Sequence, residues 1–191
     1  MKKAIVDGVE ISEGAVRFEY DRLVRFYKSH GFSDEALKDS ASELEAKALD
    51  QAIGARLLLN RAVKLDVPVT AEELDAEVEK IIAQVGGLEN YRAALSAQGL
   101  DENAFKREIE KGAKVNKLVA QVCSLIPDPT EDEIVAFFEA NRNQWSDGGK
   151  KTIVDVHDDI RDLLRHEARG RGVDEFVAEL RENAEIKFEC D

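Results

Sequence analysis

Two short stretches of alternating apolar and charged residues lie at opposite ends of the chain, and nearly everything between them carries a helical pattern. At the start, Val6 and Val9 flank Asp7-Gly8, a dipeptide suited to a type I′ hairpin turn because both central residues need positive φ. Alternation then places Ala4, Val6, Val9 and Ile11 on one face. At the far end, Ala184-Glu185-Ile186-Lys187-Phe188-Glu189 alternates in the same way, which is a strand pattern. A strand at each terminus suggests that the two pair, so that the fold closes on itself through one small sheet.

The intervening helices are marked by their caps. Ser12 is expected to cap a helix that runs to about His30 and stops at Gly31, with Val16, Tyr20, Leu23 and Tyr27 along one face. Ser33 caps the next, which reads as one long helix through Leu44, Leu49, Ile53, Leu57 and Leu58 to about Leu65. Asp66-Val67-Pro68 ends it, because the residue before proline avoids helical geometry. Thr70 with Glu73 and Thr130 with Glu133 have capping-box spacing, and each box opens a further helix. Gly86-Gly87 ends the first of these; a short helix around Leu88 to Leu95 follows, and Asp101 caps another that runs towards Leu125. Asn143 to Lys151 is polar and glycine-bearing and reads as a loop. Thr152 opens a helix that Gly170 and Gly172 are expected to interrupt before it resumes at Asp174. The expected fold is mainly α, about seven or eight helices with a small sheet formed by the terminal strands.

Charge and composition then exclude classes of function. The formal charge is −13, with 35% of residues charged, and neither nucleic acid nor an anionic membrane is bound without a basic footprint. No apolar run approaches the roughly 18 residues that span a bilayer. Met1-Lys2-Lys3 is followed by no apolar stretch, so the start is not a signal peptide. As written the chain is expected in the cytoplasm; were a signal removed ahead of Lys2, it would be periplasmic or otherwise extracytoplasmic. Cys123 and Cys190 form neither a metal motif nor a disulfide framework. His157 and His166 fall about half a turn out of phase on one helix and cannot face one metal, while His30 sits at a helix C-terminus, where a cation is favoured. Serines lack a nucleophile-elbow context, and no glycine-rich phosphate loop is present. No catalytic residue, metal ligand or cofactor is therefore expected. The aromatics Phe18, Phe26, Phe32, Phe137, Phe138 and Trp145, off the main stripe or near helix ends, are the candidates for contact with a partner.

Several of these segments resemble the SurA-like and PrsA-like chaperones that carry parvulin isomerase domains. Val6-Asp7-Gly8-Val9-Glu10-Ile11-Ser12 resembles their opening. Leu57-Leu58-Leu59-Asn60-Arg61-Ala62 through Val67-Pro68-Val69-Thr70-Ala71-Glu72-Glu73-Leu74 is similar to their helix, link and capped helix. Leu100 to Lys106 and Pro129 to Ile134 resemble the next two helix starts, and Phe137-Phe138-Glu139-Ala140-Asn141-Arg142 the segment that hands over to the isomerase. A parvulin domain of about a hundred residues would follow there. Here Ile160, Leu163 and Phe176 through Ile186 follow instead, similar to the family's returning helices and strand. The resemblance implies a helical chaperone module over residues 1–145, a linker at 146–151 in the parvulin's place, and residues 152–191 completing the module. It implies an ATP-independent holdase for unfolded or nascent polypeptides, without the sheet-lined proline pocket that isomerisation needs. The alternative is an assembly or scaffold protein that binds one dedicated partner, or itself, as a homodimer by strand exchange.

Overall fold

A computed structural model describes residues 3–97, 99–145 and 151–189. The two ends of the chain do pair. Strand β1 (Lys3–Val6) lies between β2 (Val9–Glu10) and β3 (Ile186–Glu189), antiparallel to both. Val6 faces Val9 on one side and Ile186 on the other, and Ala4 faces Phe188. Asp7 and Gly8 have φ of 50° and 79°, the paired positive values of a type I′ turn. The Asp7 carboxylate accepts from the Glu185 amide at 3.0 Å and from Asn60 Nδ2 at 3.0 Å, while its own N–H donates to the Glu185 carbonyl at 2.9 Å. One side chain thus ties the turn both to the approach of β3 and to a helix. Ala4, Val6 and Ile11 are buried as the alternation implies, but Val9 remains 45% exposed. It sits on a two-residue edge strand, where its face is incompletely covered.

The chain forms two compact units, divided within two of its helices. The first comprises the chain up to Leu118 together with Val177 onward. Its helices are α1 (Glu13–Ser29), α2 (Asp34–Asp39), α3 (Ala41–Lys64), α4 (Ala71–Gln84), α5 (Leu88–Ala97) and most of α6 (Glu102–Ser124). Ser12, Ser33 and Thr70 cap α1, α2 and α4 with their side chains, and Thr70 and Glu73 complete the box. Asp101 Oδ1 accepts from the Ala104 amide at 2.6 Å at the start of α6. The helix expected to run unbroken from Ser33 to Leu65 is instead two, parted at Ser40 (φ −98°, ψ 13°). Short polar residues such as Asp39 and Ser40 compete with the helical backbone for hydrogen bonds, and the apolar period carries no sign of the break. Leu23 of α1, Leu44, Leu49, Ile53 and Leu57 of α3, and Ala4 and Val6 of β1 make the core, joined from the far end of the chain by Leu180, Ala184 and Ile186. Gly54 lets Val177 approach, since an added Cβ would lie 3.5 Å from its Cγ1. Burying Ile53 completely is worth about 1.5–3 kcal/mol.

The second unit is Val119–Phe176. It contains α7 (Glu131–Ala140), the single turn α8 (Arg142–Trp145) and most of α9 (Ile153–Glu182). Its core is Ile134, Phe138, Val156 and Ile160, with Phe137, Trp145, Ile153 and Leu164 packed against it. Two expectations fail in this unit. Residues 143–145 are helical rather than loop, because Trp145 turns back onto that core and packs edge-to-face with Phe137 at 6.1 Å. Nor do Gly170 and Gly172 interrupt α9, which runs through both. Gly172 is explained by a close approach: a Cβ there would overlap Ile126 Cδ1 and lie 3.1 Å from Cγ1. With Ser40 adding one helix, α8 another, and the continuity of α9 removing one, the described residues hold nine helices. Gly148 and Gly149 of the linker, and Cys190, lie outside the described residues.

Candidate functional site

Burial raises the pKa of the Tyr91 phenol; the other titratable groups with displaced pKa values sit in helix caps and ion pairs. Hydrogen bonding to Lys117, then to the Thr70 amide, holds the Glu73 carboxyl below its ordinary value, and the Thr130 amide does the same for Glu133. Arg165 grips Asp128 with two hydrogen bonds, at 2.6 and 3.1 Å, and lowers its pKa. His157 is raised, first by its 2.8 Å hydrogen bond to Glu131 and then by Asp158 at 3.3 Å. His30 lies at the C-terminus of α1 with Nδ1 2.8 Å from the Phe26 carbonyl oxygen. Among the described residues no cluster of three or more His, Cys, Asp or Glu is placed to hold a metal, and no helix is long and apolar enough to cross a membrane. Cys123 is a half-buried free thiol.

A concave, apolar surface of the first unit lies along the first half of α3. On one side, Leu49, Ile53, Ala46 and Phe188 line a cleft of about 430 Å³, with Ser42, Glu45 and Asp50 at its rim. On the other side, α1 and α3 leave a shallower cleft of about 800 Å³ lined by Arg22, Leu23, Phe26, Tyr27, Ala46, Lys47, Asp50 and Gln51. Tyr27 and Lys47 continue into a third hollow, of about 180 Å³, that Phe32 helps to close. Because Ala46 and Asp50 line both larger clefts, the three form one continuous surface across α3. The helix builds it by alternation of size: Leu49 and Ile53 turn into the core while Ala46, with only a methyl group, leaves the space above them open.

Fixed polar contacts frame this surface. Asp50 takes Arg181 twice, Nη2 lying 2.8 Å from both its carbonyl and its carboxylate oxygen. Lys47 Nζ donates to the Tyr27 hydroxyl at 3.3 Å and lies 5.7 Å from that ring's centre. Arg22 pairs with Glu19 at 2.8 Å and donates to Gln51 at 3.3 Å. Glu45 makes no ion pair among the described residues.

The structure separates the six aromatic candidates. Phe26 and Phe32, 54% and 51% exposed, flank Tyr27 at centroid distances of 5.5 and 5.2 Å and border the clefts. Phe18, 62% exposed, is not among the cleft residues. Phe137 and Trp145 are half-buried and Phe138 is buried, and all three build the core of the second unit. Tyr27, Lys47 and Phe188 also belong to the surface; the sequence places Tyr27 on an apolar helix stripe and Phe188 in the terminal strand and marks none of the three as a partner contact. The alternation at 186–189 puts Phe188 on the inner face with Ile186, but it cannot tell that β3 ends the sheet and that Phe188 remains 58% exposed.

The family model described as the SurA-like N-terminal domain matches residues 2–119. Among solved structures, a chain from work on the virulence factor PEB4 and the periplasmic protein Cj1289, described as two structurally related SurA-like chaperones of Campylobacter jejuni, superposes with a TM-score of 0.60 at 15% identity, over 99% of this chain and 99% of that one. At that identity the likeness is one of fold. No curated protein matches the chain.

Proposed function

Because the chain belongs to the SurA-like N-terminal domain family, a family of chaperone modules, we propose that it is an ATP-independent holdase for unfolded or nascent polypeptides. The observation that carries this reading is the continuous apolar surface across α3, bordered by half-exposed Phe26, Phe32 and Phe188. Half-exposed aromatic rings on a soluble chain present surface that another polypeptide can cover. Covering a half-exposed phenyl is worth about 1 kcal/mol, so each ring contributes weakly and specificity is low. Weak, exchangeable binding of exposed client segments competes with their self-association by mass action and needs no nucleotide. Prolyl isomerisation forms no part of the proposal, since seven residues between Trp145 and Ile153 are too few to build a sheet-lined proline pocket.

The test is suppression of light scattering by a chemically denatured client at several-fold molar excess of this protein. The wild type is expected to suppress it. Phe26→Ser combined with Phe32→Ser should weaken client binding about thirtyfold, from about 1 kcal/mol at each ring, while Phe18→Ser serves as an exposed control away from the clefts. Unchanged aggregation in the presence of the folded wild type would overturn the proposal.

A further inference from the structure

We propose that the open edge of β3 takes up an extended, basic polypeptide segment as an additional antiparallel strand, a binding mode that rests on the polypeptide-binding proposal above. With strand order β2-β1-β3, β3 has a partner on one side only among the described residues. The phase of its hydrogen bonds is fixed by the Asp7 N–H, which donates to the Glu185 carbonyl at 2.9 Å. Antiparallel ladders alternate, so Lys187 and Glu189 direct their main-chain groups to β1, while Ile186 and Phe188 direct theirs to the open edge. The far side of β1 agrees: Ala4, opposite Phe188, gives its carbonyl to the Ile11 amide at 2.8 Å.

The same two residues face inward. Phe188 shares a face with fully buried Ala4 and Val6, yet it remains 58% exposed beside the cleft floored by Leu49 and Ile53. A strand added at this edge would put every second side chain into that cleft and bring its hydrogen-bonding amides against Ile186 and Phe188. Charge selects the occupant. The cleft is lined by the carboxylates of Glu45 and Asp50 and, among the described residues, by no cationic side chain. Asp50 is held by Arg181, whereas Glu45 has no ion pair among the described residues. Lys187, the cation of β3, is already paired with Glu185 at 2.8 Å. A second copy of this chain would bring a further charge of −13 to the edge, whereas a segment with Lys or Arg among inward apolar residues complements it. Main-chain bonds would supply affinity, and the cleft selectivity, as in other strand-addition modes.

The probe is a fluorescent seven-residue peptide alternating Thr with Leu, Lys and Leu, titrated against the full chain by anisotropy. N-methylation of the Leu and Lys amides, which would face β3, should weaken binding about tenfold or more, since the two hydrogen bonds to Ile186 and Phe188 are lost. N-methylation of the inner Thr amides, which would face away, should leave it near the parent value. Phe188→Pro removes an edge N–H without touching the β1 ladder and should bind less tightly than Phe188→Ala, which keeps it. Equal binding of the two methylated peptides overturns strand addition, as does failure of the parent peptide to bind a wild type that still suppresses aggregation. Loss of both peptide binding and aggregation suppression overturns the holdase proposal and this one with it. A dimer that forms with rising concentration and is abolished by Phe188→Pro, with no peptide bound, makes a second copy the occupant and overturns the proposal too.

Discussion

Two glycines two positions apart in α9 are expected to answer alanine with opposite signs. Glycine inside a helix costs about 0.5–1 kcal/mol relative to alanine, through the backbone entropy it loses. At Gly170 an added Cβ meets nothing within 4 Å, so Gly170→Ala should gain most of that amount. At Gly172 the same gain is available, but the new methyl would overlap Ile126 Cδ1 and crowd Cγ1 at 3.1 Å. Displacing a packed side chain costs about 1–3 kcal/mol, which leaves Gly172→Ala destabilising by about 1 kcal/mol. For a chain of this size 1 kcal/mol moves Tm by about 2–4 °C, so thermal unfolding followed by circular dichroism separates the variants. Ile126→Val removes Cδ1 and should restore much of the loss in the Gly172→Ala background, a coupling that a double-mutant cycle measures directly. If Gly172→Ala raised Tm as much as Gly170→Ala, Ile126 would not be seated over Gly172. The physical reason given for glycine in that helix would then be wrong.

Two further outcomes follow from contacts that join separate segments. His157 has its pKa raised by Glu131 and Asp158, so its stabilising charge is fully present below the ordinary value near 6.5 and is lost as pH rises through the raised one. Wild-type Tm should fall across that window relative to His157→Gln, and a gap between the two that is independent of pH would refute the pairing. Asp7→Ala removes acceptors for the Glu185 amide and Asn60 Nδ2 and a residue tolerant of φ 50°. It should cost about 1–3 kcal/mol in urea unfolding, with Asp7→Asn, which keeps one acceptor and that tolerance, costing about half.

What the sequence reveals depends on how local the cause is. The capping boxes at Thr70–Glu73 and Thr130–Glu133 are complete within four residues, and both form as their spacing implies. The Asp7-Gly8 turn is equally local, and the pairing of the chain ends follows from two alternating patterns that have no other strand to join. The break at Ser40 is hidden because Leu37 and Leu44 on either side both enter the core at helical spacing. Gly172 looks like a helix breaker until Ile126, distant in sequence, is known to lie against it. The aromatics show the same limit. Phe137 and Phe138 look as available as Phe26 and Phe32, and only packing against Val156 and Ile160 removes them from the surface. Phe188 is the converse, an inward residue left open because its strand is the last in the sheet.

The second unit also explains how a chaperone module of this kind tolerates a domain at its α8–α9 connection, or the lack of one. Trp145, the last residue of α8, and Ile153, the first of α9, both pack against the cluster of Ile134, Phe138, Val156 and Ile160. The departing and returning chain are therefore anchored on one core, independently of what lies between them. Insertions are tolerated where both ends are held and few contacts cross the joint, and the parvulin domain of the chaperones this sequence resembles would enter at such a place. The sheet that joins the chain ends and the clefts along α3 are built from residues of the first unit, so a chain with a short connection here and one with an inserted domain can present the same surface.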